Sequence, residues 1–181
     1  DGSARLSGDV LTIVHKAAAE IGELGDNTAV LRDAIRSDEL LQRALRSPSV
    51  DGIVLGHTRW ASIGIISQPN AHPQCSDEAT AAAADAATAA AGPFVTAVLN
   101  GDVDNHADIV ATEDLAIPVE VTTDAKVIPT LISRGLARGL DPRDAFREAV
   151  VGLEGSVAIG AAVTDTLDRL LLALRGSGQA L

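Results

Sequence analysis

The feature that most restricts this chain is Phe94-Val-Thr-Ala-Val-Leu99, a nearly unbroken apolar and β-branched run that stops at Asn100-Gly101. A strand wetted on one face alternates apolar and polar residues, whereas a strand covered on both faces does not. The run is far too short to cross a bilayer as a helix, so it calls for a sheet with packed layers on either side. The interior of those layers has to be aliphatic: 46% of the 181 residues are hydrophobic but only 2% are aromatic. A chain of this length suits one domain with a sizeable core.

Other segments fill out the layers. Leu11 to His15 predicts a strand ending near Lys16, and Gly52-Ile-Val-Leu-Gly56 predicts a buried strand that delivers His57 to Trp60 at its end. Val30, Leu31, Ala34, Ile35, Leu40, Leu41, Ala44 and Leu45 recur at helical spacing, with Asp26 or Asn27 as N-cap and a break near Ser37-Asp38. The alanine-rich tract 78–91, EATAAAADAATAAA, reads as a solvent-side helix closed by Gly92-Pro93 or as a mobile surface insertion. Asp124 opens a helix to about Arg138, and Asp141-Pro142 starts another through Val151. Ser156–Val163 and Arg169–Leu174 read as a hairpin joined at Thr164-Asp165-Thr166. Strands and helices cluster without strict alternation, which predicts an α+β layered sandwich.

Charge and composition exclude several functions. The formal net charge of -11, with Lys16 and Lys126 the only lysines, repels a phosphate backbone, so nucleic acid is not an expected partner. A single cysteine forms no internal disulfide, and there is no membrane-length apolar run or basic-then-apolar leader; a cytoplasmic location with no membrane partner is expected. The chain opens Asp-Gly-Ser and contains no methionine, which reads as a piece of a longer polypeptide.

Several polar groups could carry chemistry, and each has a plainer reading. Arg59 is either a surface charge or a fork for a carboxylate, which a guanidinium grips with two parallel hydrogen bonds. Trp60 is either core or a shield that excludes water from that pair. Asn100-Gly101 is either a tight turn or an oxyanion hole built from an amide and a backbone N–H. Asp124 is a helix N-cap, a partner for a ligand ammonium, or both. His57, His72, Cys75, His106, Asp102 and Asp104 lack the spacing of a metal motif, Cys75 has nothing nearby in sequence to lower its pKa, and Gly176-Ser-Gly178 lacks the lysine of a phosphate loop. No metal or other cofactor is expected.

In their order, the blocks His57-Thr-Arg-Trp-Ala-Ser62 with Gly64, Asn70-Ala-His-Pro73, Val98-Leu-Asn-Gly101 with Asn105-His106, Thr123-Asp124 with Val127-Ile128, and Glu154-Gly-Ser-Val-Ala158 resemble the class II glutamine amidotransferase domain. They look most like the glutaminase domain of the glutamine-fructose-6-phosphate aminotransferases. The resemblance implies the four-layer αββα sandwich of N-terminal nucleophile hydrolases. It implies hydrolysis of L-glutamine to glutamate and ammonia, with the ammonia passed to a C-terminal sugar isomerase-type synthase domain for a fructose-6-phosphate-like acceptor. Arg59 and Ser62 would hold the α-carboxylate of glutamine, Asp124 its ammonium, Asn100 and Gly101 the oxyanion, and Trp60 would shield the site.

The family's nucleophile is a cysteine at the start of the mature chain, and residue 1 here is Asp. Residues 1–181 are therefore expected to be an amidotransferase domain fragment without its first strand and nucleophile, inactive alone, and with an unpaired edge that favours a homo-oligomer. Ile63, Leu99 and Lys126 stand where the family usually has His, His and an acid. Those departures keep a second reading open, a non-catalytic regulatory or scaffolding module on the same fold.

Overall fold

Two nine-residue strands, β4 (Val95–Val103) and β5 (Gly155–Val163), pair antiparallel along their whole length, from Val95 opposite Val163 to Val103 opposite Gly155. Because side chains alternate across a strand, Val95, Ala97, Leu99 and Val103 share one face with Val157, Ile159, Ala161 and Val163. Helices α3 (His106–Thr112), α4 (Val127–Ala137) and α5 (Pro142–Val151) supply Ile109, Ile128, Ile132, Ala145, Phe146 and Ala149 to the same buried cluster, with α4 and α5 over that face. This is a computed structural model describing residues 2–18, 25–58, 64–78 and 93–176. Short β3 (Gln74–Cys75) and β6 (Leu171–Arg175) flank the central pair, giving the antiparallel order β3-β4-β5-β6.

The α5 start follows its sequence signals closely. Asp141 Oδ1 accepts from the backbone N–H of Arg143 at 2.9 Å and of Asp144 at 3.2 Å, and Pro142 occupies the first turn where its missing N–H costs nothing. The predicted hairpin of β5 and β6 forms, with Ile159 opposite Ala173. Helix α1 (Asp26–Ser37) and helix α2 (Glu39–Leu45) break at Asp38, whose Oδ1 accepts from Leu41 N at 2.9 Å. Neither Asp26 nor Asn27 caps α1; Gly25, with φ 101°, holds that position without a side-chain bond.

Other expectations need correction. A second strand, β1 (Gly2–Ser7), precedes β2 (Val10–His15) and pairs with it; the Gly8-Asp9 turn was its sequence signal, while GSARLS has too little apolar alternation to announce itself. Residues 52–56 form no strand among the described residues, and Val54 is 94% exposed, because an apolar run needs a ladder partner as well as composition. Leu55 nonetheless lies over the second face of the sheet: a Cβ on Gly160 would stand 3.2 Å from Leu55 Cδ1 and 3.3 Å from Val98 Cγ2. The alanine-rich tract lies outside the described residues from position 79 onward. The result is an α+β fold with antiparallel sheets. No described helix is long and apolar enough to cross a membrane.

Candidate functional site

Asn100 and Gly101 are not a turn. They continue β4, with Asn100 opposite Ala158 and Gly101 opposite Val157, because the β5 ladder persists for two residues past them. Gly101 takes φ 121°, a conformation that side-chain-bearing residues avoid, so the pair places a distorted backbone inside a regular ladder. Alternation sends Gly101 to the helix side and exposed Asn100 to the other face.

Asp124 lies at the end of the same strand. It opens a single 3-10 turn, Asp124–Lys126, that leads into α4, and Thr123 holds the cap position, so Asp124 is not the predicted N-cap. Its side chain turns back instead: Oδ2 accepts from Val103 N at 2.7 Å, and Oδ1 accepts from the Thr123 hydroxyl at 3.3 Å. The carboxylate is 4% exposed, and a buried charge of this kind persists only with such donors. One carboxylate therefore fixes the Asn100–Val103 end of β4 against the start of α4.

A second fastening stands beside it. Asn70 is fully buried; its Oδ1 accepts from Thr122 N at 2.7 Å and Thr123 N at 3.1 Å, and its Nδ2 donates to Ile65 O, Ser67 Oγ and Thr122 Oγ1. Gly64, at φ 84°, fits where a Cβ would stand 3.0 Å from Thr122 Oγ1 and 3.2 Å from its carbonyl carbon. The segment that follows the Arg59–Ser62 motif is thus bonded to the two residues that precede Asp124. Arg59, Trp60, Ser62 and Ile63 themselves lie outside the described residues. The role of Asn70 escaped the sequence reading, which quoted Asn70-Ala-His-Pro73 without assigning it; an Asn near two turns is a weak signal until Thr122-Thr123 is seen to face it.

Lys126 was also underestimated. It is 4% exposed, and its Nζ donates to Cys75 O and Asp77 O, both at 2.5 Å, bolting the end of β3 to the turn before α4. Burial pulls the Lys126 ammonium below its usual range, against the attraction of Cys75 and Asp77, and burial pushes the Cys75 thiol up despite Lys16 and Lys126 nearby. The rings of His57 and His72 meet edge to face at 4.5 Å, and His106 Nδ1 lies 3.0 Å from Val103 O. Among the described residues no group of three or more His, Cys, Asp or Glu side chains is arranged to hold a metal.

Curated proteins supply the comparison that decides the family. The glutamine-fructose-6-phosphate aminotransferase of Caulobacter vibrioides is 36% identical over 124 residues, 68% of this chain and 18% of that protein. The chain is a relative of the glutaminase domain of the glutamine-fructose-6-phosphate aminotransferases. Proteins of the same name from Mesorhizobium japonicum and Sulfurisphaera tokodaii are 33% and 31% identical over 66% and 79% of this chain, and 17% and 22% of their own lengths. The chain spans about a fifth of the curated relatives it matches. No family model matches it. In this amidotransferase-related domain, Leu99 is a 4% exposed core residue.

Proposed function

We propose that this domain is the glutaminase part of a longer glutamine-dependent amidotransferase. It hydrolyses L-glutamine to glutamate and ammonia, and a sugar isomerase-type domain of the same polypeptide uses the ammonia on a fructose-6-phosphate-like acceptor. Arg59 and Ser62 hold the α-carboxylate, Trp60 closes the pocket, and Asp124 receives the ammonium. The Asn100 amide and the Gly101 N–H stabilise the oxyanion formed when the side-chain amide is attacked. Two charges of opposite sign at fixed positions orient the zwitterion, which makes attack effectively unimolecular.

The observation that carries this reading, beside the kinship, is the way Asp124 is anchored. An ionised carboxylate accepts roughly four hydrogen bonds, and Val103 N and the Thr123 hydroxyl use two, leaving capacity for an ammonium. Its Val103 contact also ties it to the end of the strand that carries Asn100 and Gly101. The four-layer αββα sandwich belongs to the same proposal, supported by the second face of the sheet. Leu172 and Leu174 remain 55% and 60% exposed there, Leu55 crosses at Gly160, and a second sheet would bury them.

Calorimetry with L-glutamine tests the clamp. Arg59→Ala should weaken binding at least about tenfold, since a charge-assisted bond contributes roughly 1.5–3 kcal/mol; equal affinity in both proteins removes the clamp. A second reading, a non-catalytic regulatory or scaffolding module, is favoured by Lys126, a structural bolt where relatives usually carry an acid. Ammonia release by the full-length protein separates the two: binding without turnover supports the module.

A further inference from the structure

We propose that the cleft between the end of α1 and the outer face of α2 binds a small phosphate-bearing anion through Arg36, Arg43 and Arg46. The cleft measures about 430 Å³ and is lined by those arginines with Ser37, Glu39 and Gln42. Glu39, Gln42, Arg43 and Arg46 recur three, four and seven residues apart, so they share one side of the helix, and Arg36 approaches from the neighbouring one. A chain with 14 basic against 25 acidic residues has thus gathered three guanidiniums around one opening.

Several arginines elsewhere are committed to carboxylates or backbone carbonyls. Arg134 grips Glu78 through Nε and Nη2 at 2.8 and 2.6 Å and donates to two backbone carbonyls besides. Arg5 pairs with Asp77 at 2.6 Å, and Arg175 donates to the carbonyls of Val150, Val151 and Leu153. In the cleft, the ion pairs of the described residues reach only Arg36, through Asp33 at 3.6 Å, with both side chains at least 75% exposed. A pair so wetted holds its arginine weakly. The one carboxylate on the rim, Glu39, leaves the cleft cationic.

The walls are held independently of those cations. Gln42 Nε2 donates to Ile35 O at 3.0 Å across the junction, Asp38 N donates to Ala34 O at 3.0 Å, and Asp38 Oδ1 accepts from Leu41 N at 2.9 Å. The angle between the helices is therefore set before any ligand arrives. Guanidiniums match phosphate with parallel hydrogen bonds, and a dianionic phosphomonoester has the charge and the oxygen atoms to engage three of them. A carboxylate would satisfy one fork and leave the others. The surrounding acidity repels longer polyanions, which narrows the class to small phosphates.

Isothermal titration at low ionic strength, using inorganic phosphate, fructose 6-phosphate and fructose as probes, tests the site. Both phosphates should bind the unaltered chain, fructose should not, and 0.5 M salt, an added concentration of about this order, should abolish the signal because the site is exposed. The double variant Arg43→Glu, Arg46→Glu should lose at least about tenfold in affinity. Arg143→Glu with Arg147→Glu on α5, which does not line the cleft, makes the same change in net charge and should bind as before. Fructose 6-phosphate binding alone would still support the site but add sugar recognition; inorganic phosphate binding alone would assign it to the free ion. No binding of either phosphate, equal loss in the α5 control, or fructose bound as tightly as its phosphate overturns the proposal. If circular dichroism shows the reversal variant misfolded, Arg43→Lys with Arg46→Lys replaces it. That pair keeps the charge and removes the forks, and unchanged affinity there overturns the proposal as well.

Discussion

Asn70 and Lys126 do similar work with opposite chemistry. The Asn70 amide replaces, for the backbone of Thr122 and Thr123, the partners that a strand or helix would have provided. Asn70→Ala leaves those two buried N–H groups without an acceptor, so chemical denaturation should show a loss of roughly 2–4 kcal/mol, with Asn70→Asp milder because it keeps the acceptors. A loss within experimental error would mean that water replaces the amide. Lys126 carries a charge into a dry place, where it meets Cys75, Asp77, Glu78 and Lys16. Its folded pKa lies below the unfolded one, so between those two values the unfolded chain binds more protons and stability rises with pH. The Cys75 thiol, shifted up, contributes the opposite slope. In a Cys75→Ala background, stability should therefore climb as pH approaches the ordinary lysine range, and Lys126→Met should flatten that climb; an unchanged slope would place its origin elsewhere, with Lys16 the next group to remove.

Helices with similar amphipathic patterns end up with different duties. Helix α4 buries Ile128 and Ile132 completely against the sheet, while α1 and α2 bury no residue and leave Val30 56% exposed. Hydrophobic periodicity states that a face is available; what covers it is a property of the neighbours. Ile132→Ala should cost about 2–5 kcal/mol and Val30→Ala no more than about 0.5 kcal/mol, compared by thermal or urea unfolding. Comparable losses in both would show that α1 packs more tightly than its exposure indicates. Turn chemistry held where Asp141-Pro142 began α5 and Asp38 divided α1 from α2, because caps act within four residues, and it failed at Asp26-Asn27, Asn100-Gly101 and Asp124.

For the molecule as a whole, the two faces of the four-stranded sheet are unequally dressed. One is sealed by α4 and α5, and the other shows Leu172 and Leu174 on β6, which among the described residues is also the strand at the sheet's edge. An apolar face next to an open ladder promotes association. Sedimentation velocity should find concentration-dependent self-association of the chain, reduced by Leu172→Lys with Leu174→Lys; a monomer at all concentrations, or association indifferent to the substitutions, would dismiss that face as the cause.

Local chemistry in the sequence was enough to specify the β4, β5 and β6 runs, the α1–α2 break, the α4 and α5 helices and an α+β class, since propensity, caps and periodicity act over a few residues. The same local chemistry announced kinship through blocks of polar residues. Long-range pairing lay beyond it. Only the folded chain shows that Asn100-Gly101 stays in the ladder, since that depends on Ala158 and Val157 of β5, a distant segment of the chain that pairs with them. Only the folded chain turns Asp124 from a helix cap into an acceptor for Val103, and makes Lys126 a bolt to the carbonyls of Cys75 and Asp77. A buried polar group takes whichever partner burial brings within reach, and which partner that is depends on how distant segments pack.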